Sequence, residues 1–461
     1  MFLLMVVVFI IGYIFIVLEH VVNVNKAGVA LLIGVLLWTI YALGGEQILA
    51  LGFSNSWTTY LQDGAVANTA ETVRHFITEH ELLEHLGDTS SILFFLLGAM
   101  TIVELIDKYQ GFQVITDRIK STDITRLLWI ISLLTFFMSA LLDNLTTTII
   151  ILTLLNKMIS KKEFRWVFAS LVVMSANAGG AWSPIGDVTT IMLWINGQVT
   201  AAAIVSSLFV PSIVNMLVVT AIFSRFVKGR RIPPVLPEHE TAEFTTPISQ
   251  QRMLIIGCLA LVSVPVFKTY THLPPFMGML LGLGIMWIIT DRHLDGKSKN
   301  DRRTLTVGAA LKSVDITTVL FFLGILMGVA ALQSAGHLAL MSQWLNLHVP
   351  NIYASNIVIG MVSAIIDNVP LVAASMGMYD IQPDMVQGAM QHFVQNGDFW
   401  NLLAYCAGTG GSILIIGSAA GVAAMGIEKI NFVWYARRMA WIAIVGYMSG
   451  ILTYYIQTLI F

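Results

Sequence analysis

The chain has 461 residues, of which 56% are hydrophobic and only 11% are charged, whereas soluble proteins carry about 25% charged residues. Its 25 basic and 27 acidic residues nearly cancel, which excludes a nucleic-acid binder, and the long apolar blocks exclude a soluble enzyme and a disordered chain. We therefore expect an all-α polytopic membrane protein that needs no cofactor.

The apolar blocks predict ten membrane spans, because about 20 mainly apolar residues cross a bilayer core. The chain starts Met1-Phe2-Leu3, without the basic region of a cleaved signal peptide, so its first block is expected to be the first span. In chain order the spans are expected at 2–18, 27–43, 91–107, 167–195, 200–224, 252–267, 276–290, 316–333, 400–427 and 434–460.

The distribution of charge predicts the orientation. Cytoplasmic connections of membrane proteins are rich in Lys and Arg, and five connections here fit that description: 108–126, 157–165, 225–231, 292–312 and 429–438. The acidic connections 44–88 and 379–398 are expected outside, the first with an amphipathic surface helix at about 69–87. Both termini are then external, and a bacterial inner membrane is the expected location.

Two further apolar segments return to the side that they leave. Residues 127–156 have basic flanks at both ends, and residues 352–377 lie between two external connections. We expect both to be re-entrant hairpins, with tips at Asp143-Asn144 and Asp367-Asn368. Irregular backbone at membrane depth is tolerated only where it is buried in protein or lines a wet cavity.

Two of the spans are interrupted by polar and flexible residues. The stretch Asn177–Thr190 contains Gly, Ser, Pro and Asp, and the stretch Gly408–Ser418 is similar. Close helix packing would explain the glycines but not Asn177 or Asp187. We expect discontinuous helices, whose free carbonyls and helix ends can coordinate a small cation.

The two halves of the chain resemble each other. Ser139–Asn144 matches Ser363–Asn368 at an offset of 224, and Ala178–Ala181 matches Thr409–Ser412 at an offset of 231. Five spans per half would make the second copy inverted, a pattern typical of secondary transporters. We expect one repeat at 1–228, a cytoplasmic linker at 229–250 and a second repeat at 251–461.

The two hairpin acids are the main candidates for chemistry. A carboxylate at the bilayer centre costs at least about 2.5–3.5 kcal/mol, so Asp143 and Asp367 are functional hypotheses, although a helix N-cap is the structural alternative. Asn144 and Asn368 add amide oxygens beside them. Such oxygen ligands suit a hard cation, Na⁺ or Li⁺, and a carboxylate cannot hold a proton and a cation on the same lone pairs.

Other polar residues have weaker claims. Thr146, Thr147 and Thr148 follow the first tip but can bond back to their own helix, and Asp187 can cap a half-helix. Glu104 and Asp315 are accessory candidates. Glu104 lies near Asp107 and Lys108 and fits an interfacial cluster equally well, and Asp315 precedes Thr317 and Thr318 as an N-cap would.

On the segments Leu93–Asp107, Ser139–Thr148, Ser175–Thr190 and Ser363–Pro370, the sequence closely resembles the NhaD-type Na⁺/H⁺ antiporters of the ion-transporter superfamily. The resemblance implies two inverted repeats with opposed hairpins, a homodimer, and an elevator motion of a transport domain against a scaffold. It also implies a functional residue set: Asp143, Asn144, Asn177, Asp187, Thr189, Thr190, Ser363, Asp367 and Asn368, with Ser412 and Ser418 less secure.

The sequence therefore predicts an antiporter, not an enzyme, that exchanges cytoplasmic Na⁺ or Li⁺ for external protons in the lipid bilayer. One alternative is a cation-coupled symporter or pump for a small anion, such as a dicarboxylate or an arsenite-like oxyanion. It would favour a basic residue at binding depth, and no Lys or Arg lies in 127–156 or 351–396. Another is an intramembrane enzyme or receptor that uses the two acids as a pair, which would not explain the repeats.

Overall fold

The computed structural model describes residues 1–64, 68–116, 119, 121, 123–159, 161–227, 245–295, 304–349, 351–383, 386 and 388–460. These residues form helices and no β-strand. The chain is thus all-helical, as predicted. Most of the predicted linker at 229–250 lies outside the described residues.

The helices of the first half follow the predicted order. They are α1 Phe2–Val17, α2 Glu19–Val22, α3 Lys26–Leu49, α4 Asn55–Gly64, α5 Ala70–His75, a π-helical turn Phe76–Glu81, α6 Leu82–Lys108, α7 Gln113–Thr116, α8 Ile124–Leu142, α9 Asn144–Met158, α10 Lys162–Ala181, α11 Val188–Ile195 and α12 Ala201–Val227.

The helices of the second half continue the series. They are α13 Pro247–Thr271, α14 Pro275–His293, α15 Val307–Ser313, α16 Ile316–Ser334, α17 His337–His348, α18 Ile352–Val362, α19 Asn368–Met378, a 3₁₀ turn Gly388–Phe393, α20 Asp398–Gly410, α21 Ala419–Glu428, α22 Phe432–Arg438 and α23 Ala440–Ile460.

Among the described residues, seven helical stretches are long and apolar enough to cross a membrane: Lys26–Leu49, Ala70–Lys108, Ile124–Leu142, Ala201–Val227, Pro247–Thr271, Ile316–Ser334 and Ala440–Ile460. Six of them contain most or all of a predicted span. Because several such helices follow one another, the protein is a multi-pass membrane protein. The seventh is α8, the first arm of the first predicted hairpin. Its 19 residues span about 28 Å at 1.5 Å per residue, so the arm is longer than a short re-entrant segment requires.

One sequence expectation about this region was wrong. The amphipathic helix at 69–87 and the span at 91–107 were expected as separate elements, but the structure has one continuous helical stretch, Ala70–Lys108. The π-helical turn Phe76–Glu81 lies inside it and joins α5 to α6 without a break. The reason is that this stretch contains no proline, and Gly87 alone does not end a helix.

The contacts divide the chain into two compact units. The first unit comprises Met1–Phe94, Asp315–Ser355 and Val369–Val394. Within it α3 packs against α1 and α16. The approach of α3 to α16 is close, because a β-carbon at Gly34 would lie 2.8 Å from the Gly324 carbonyl oxygen. The Trp38 indole also donates to the Met327 carbonyl at 2.9 Å.

The second unit comprises Phe95–Val314, Asn356–Asn368 and Gln395–Phe461. Its centre is α10, which packs against α8, α9, α12, α20 and α21. Residues 168–181 of α10 are all buried. This unit contains both predicted hairpin tips and both interrupted helices, so the site described next lies within it.

Candidate functional site

The first predicted hairpin tip is the single residue Asp143, which separates α8 from α9. Its φ of 92° and ψ of 161° lie in a region that residues other than glycine rarely adopt. Its carboxylate caps α9, accepting from the Thr146 backbone N–H at 2.7 Å and the Thr146 hydroxyl at 2.9 Å. Both the predicted chain break and the N-cap reading of Asp143 are therefore present.

Asp187 is the most completely enclosed of the predicted acids, with 1% of its surface exposed. It is the N-cap of α11 and accepts from both the backbone N–H and the hydroxyl of Thr189, each at 2.9 Å. The interruption between α10 and α11 falls within the predicted stretch Asn177–Thr190. The cap fixes this carboxylate at the break in the helix.

The two hairpin asparagines point at the same carboxylate. The Asn144 amide donates to Asp187 Oδ2 at 2.7 Å, and the Asn368 amide lies 3.5 Å from Oδ1. All of these described donors to Asp187 are neutral groups. They hydrogen-bond to the carboxylate without cancelling its charge, so the site can still attract a cation.

Asn177 connects the two interrupted helices. Its side-chain oxygen accepts from Asn144 at 3.0 Å, and its amide donates to the hydroxyls of Ser412 at 2.8 Å and Ser418 at 3.0 Å. The side chain is fully buried. Asn177 therefore links residues from both halves of the sequence into one hydrogen-bonded network.

The second hairpin region repeats contacts of the first. Ser139 donates to the Ala176 carbonyl at 2.6 Å, and Ser363 donates to the Ala407 carbonyl at 2.9 Å. The serines are 224 residues apart and the acceptors 231, the same offsets that relate the sequence halves. The matching segments of the sequence therefore make matching contacts.

Glycines make these approaches possible. A β-carbon at Gly179 would clash with the Phe136 carbonyl, and one at Gly410 would clash with the Gly360 carbonyl. These pairs are again related by the offsets of 231 and 224. In each half, glycine brings an interrupted helix into backbone contact with the segment that precedes a hairpin tip.

The correspondence fails at the polar centre. At an offset of 231, Asp187 corresponds to Ser418 and Asn177 to Gly408. Ser418 caps α21 by accepting from the Gly421 N–H at 3.2 Å, the same task that Asp187 performs for α11. At these two positions the first half supplies an acid and an amide, and the second half supplies a hydroxyl and a glycine without a side chain.

The remaining predicted residues differ in placement. Asp143 and Asp367 are partly exposed, and each lies close enough to Asp187 for their charges to interact. Thr190 is buried and donates to the Asp187 carbonyl at 2.8 Å. The hydroxyls of Thr147 and Thr148 are buried and make no hydrogen bond within the described part of the chain.

The two accessory candidates lie in other contacts. Glu104 is 3.5 Å from Lys108 one turn later on α6, which is the interfacial arrangement considered above. Asp315 is exposed and caps α16 through the N–H groups of Thr317 and Thr318. Neither contact joins the network around Asp187.

Sequence reasoning missed one neighbour of the central acid. Gly408 lies beside Asp187, since a β-carbon there would be 3.6 Å from Oδ2 and 3.8 Å from the Thr189 hydroxyl. The signal was available, because the offset of 231 aligns Gly408 with Asn177. Any side chain at this position would occupy space next to the carboxylate.

Comparison with known proteins gives consistent similarities. A family model described as "Citrate transporter" (CitMHS) matches residues 13–396. The chain is 41% identical to sodium/proton antiporter 2 of Arabidopsis thaliana, over 96% of this chain and 97% of that protein. It is 44% identical to sodium/proton antiporter 1 of the same plant, over 96% and 70%. It is 31% identical to the Na⁺/H⁺ antiporter NhaD of Alkalimonas amylolytica, over 81% and 79%.

Proposed function

Because this chain belongs to the CitMHS transporter family, and within it to the NhaD-type Na⁺/H⁺ antiporters of the ion-transporter superfamily, we propose that it exchanges cytoplasmic Na⁺ or Li⁺ for external protons at buried carboxylates. The relatives are named as sodium/proton antiporters, which supports cation/proton exchange as the general activity. Our proposal adds two details to that general activity: transport of Li⁺, and the residues that perform the exchange.

The observation that carries the proposal is the environment of Asp187. A carboxylate with 1% exposure is costly to bury as a charge unless it is paired or neutralised. Here its described donors are two neutral amides, one hydroxyl and a backbone N–H. Either a bound cation or a bound proton would remove the remaining cost, and the two cannot occupy the same lone pairs.

Asp143 and Asp367 extend the site toward the two hairpin tips. Each precedes an asparagine that contacts Asp187. We assign the cation to oxygen ligands from this set, with Asp143, Asn144, Asp367 and Asn368 as in the sequence prediction and Asp187 at the centre. Thr146, Thr189, Thr190, Ser363, Ser412 and Ser418 hold the surrounding backbone and amides in position.

The exchange follows from the energies of the loaded and empty sites. An empty, ionised site is expensive to carry past an apolar barrier, while a site holding Na⁺ or a proton is cheaper. The site therefore crosses only when loaded, and each ion moves in exchange for the other. Three acids leave room for more than one proton per cycle.

The repeat at 1–228 and 251–461, with opposed hairpins, is part of this proposal. The matched serine and glycine contacts of the two halves support it. The homodimer, the elevator motion, the external termini and the bacterial inner membrane remain predictions from the resemblance and the charge distribution.

The test is exchange in proteoliposomes that contain an internal pH dye. Added Na⁺ or Li⁺ should dissipate an imposed proton gradient, and K⁺ should not. Asp187→Asn, Asp143→Asn and Asp367→Asn should each reduce the signal. Asp123→Asn is the control, because Asp123 is an exposed N-cap on α8 that accepts from the Arg126 N–H at 2.8 Å. Proton movement that ignores Na⁺, or survives all three site variants, would reject the assignment.

Citrate belongs in the same assay, because the matching family model is described as a citrate transporter. Three acids with neutral donors form a poor site for a tricarboxylate, which would meet like charge. We expect citrate alone to leave the dye signal unchanged, and citrate added with Na⁺ to give the same signal as Na⁺ alone.

A further inference from the structure

A large pocket opens where the ends of four helices meet in the second unit. The start of α10, the end of α12, and α22 with the start of α23 line a cavity of about 1130 Å³. Ordinary small-molecule pockets measure about 300–1,000 Å³. The pocket is separate from the network around Asp187, and the proposed exchange does not use it.

The wall of this pocket is aromatic. Trp166 and Trp434 meet edge to face with ring centres 5.0 Å apart, and Phe226 and Trp441 do the same at 6.1 Å. Phe226 and Trp441 are 56% and 45% exposed. Tryptophan is enriched at the boundary between lipid tails and water. The helix ends that line the pocket lie where the predicted spans are expected to meet that boundary.

The rim of the pocket is basic. Lys162, Arg437 and Arg438 line it and are exposed, against one acid, Glu163. The Lys162 ammonium lies 5.2 Å from the centre of the Trp166 ring. Lys162, Arg437 and Arg438 belong to connections that the charge distribution places in the cytoplasm. The pocket thus combines a net positive rim with an apolar wall.

We propose that this pocket binds an anionic phospholipid of the cytoplasmic leaflet. The headgroup phosphate would pair with Arg437 and Arg438, and the acyl chains would lie along Phe226 and Trp441. Basic pockets between helices on the cytoplasmic side have the chemistry that anionic headgroups recognise. A free anion would use the rim but leave the aromatic wall exposed, so the wall favours a lipid.

A bound lipid would hold together parts of both halves of the sequence. Directly beside the pocket, Arg165 pairs with Glu428 at 2.9 Å, and the Trp166 indole donates to the Glu428 carbonyl at 2.9 Å. These contacts join the start of α10 to the end of α21. Lipid in the pocket should therefore raise the melting temperature of the protein, in addition to being detected directly as bound lipid.

The experiment compares purified wild-type protein with Arg437→Gln/Arg438→Gln in nanodiscs and in lipid-titrated detergent. Native mass spectrometry and melting temperature are measured against phosphatidylglycerol, phosphatidylcholine and inorganic phosphate. Arg252→Gln/Lys312→Gln is the matched control, since it removes two exposed cations elsewhere in the same unit. Size-exclusion profiles and circular dichroism establish that all variants are folded.

Phosphatidylglycerol should bind and raise the melting temperature of the wild type and the control. The double arginine variant should bind it about 30-fold more weakly, because each nearby cation contributes a factor of about five. Equal binding of phosphatidylcholine, equal binding by the arginine variant, or equal stabilisation by inorganic phosphate would overturn the proposal. These readouts do not depend on ion exchange.

Discussion

The Asn144 side chain donates a 2.7 Å hydrogen bond to the carboxylate of Asp187, 43 residues further along the chain. This contact joins the tip between α8 and α9 to the break between α10 and α11. An ionised acceptor makes such a bond stronger than one between neutral groups. Whether Asp187 is ionised or neutral is therefore expected to be coupled to the position of the hairpin tip.

Replacing Asp187 with asparagine should abolish Na⁺-dependent proton movement while leaving a folded protein. The new side chain can still cap α11, but its amide would face the Asn144 amide, donor against donor. We expect a loss of about 1–3 kcal/mol of stability from that mismatch, measured as a lower melting temperature in detergent.

The double substitution Asn144→Asp/Asp187→Asn, which swaps the two side chains, is the control for this interpretation. It restores one donor and one acceptor to the pair and keeps the total charge. Stability should return toward the wild-type value, while ion exchange should stay impaired because the acid has moved to the tip. Recovery of full exchange would show that the location of the charge is unimportant.

The close backbone contacts predict a contrast among glycines. Gly179→Ala and Gly410→Ala each place a methyl group against a backbone carbonyl that cannot move easily, and overpacking of this kind costs about 1–3 kcal/mol. Gly426→Ala on α21 meets nothing within 4 Å and should stabilise by about 0.5–1 kcal/mol. Melting temperatures of the three variants test this, and equal effects at all three positions would contradict the packing described.

The ion pair between Arg165 and Glu428 predicts an unequal response to the loss of either partner. The Glu428 side chain is 1% exposed and the Arg165 side chain 24%. Arg165→Gln leaves a buried, unpaired carboxylate and should cost about 3–5 kcal/mol. Glu428→Gln leaves a cation that water can reach, so its cost should be well below that figure. Thermal unfolding of both variants measures the two losses of stability. A larger loss of stability for Glu428→Gln than for Arg165→Gln would contradict this prediction.

The sequence predicts much of the fold because its signals are local. Length and hydropathy locate most spans, and the polar breaks at Asp143, Asp367 and the two glycine-rich stretches locate the interruptions. The continuity of Ala70–Lys108 was missed because the change from polar to apolar composition near residue 88 resembles an element boundary. Helical backbone can continue through such a change.

The centre of the site was harder to predict. In the sequence, Asp187 stands before Val188 and Thr189 as an ordinary N-cap does, and the structure gives it that role. Its contacts with Asn144 and Asn368 come from packing between segments 43 and 181 residues away. Local pattern does not encode such contacts. The repeat shows only that the acid has a serine, Ser418, as its counterpart.

The central claim is that Na⁺ and a proton compete for the carboxylate of Asp187. The direct measurement is proton release from purified protein when NaCl is added to a weakly buffered solution with a pH dye, with KCl as the control. Wild-type protein should release protons on Na⁺ addition, more weakly as the pH rises and the site loses its protons, and Asp187→Asn should release far fewer. Na⁺ binding without proton release, or equal release by Asp187→Asn, would contradict the account.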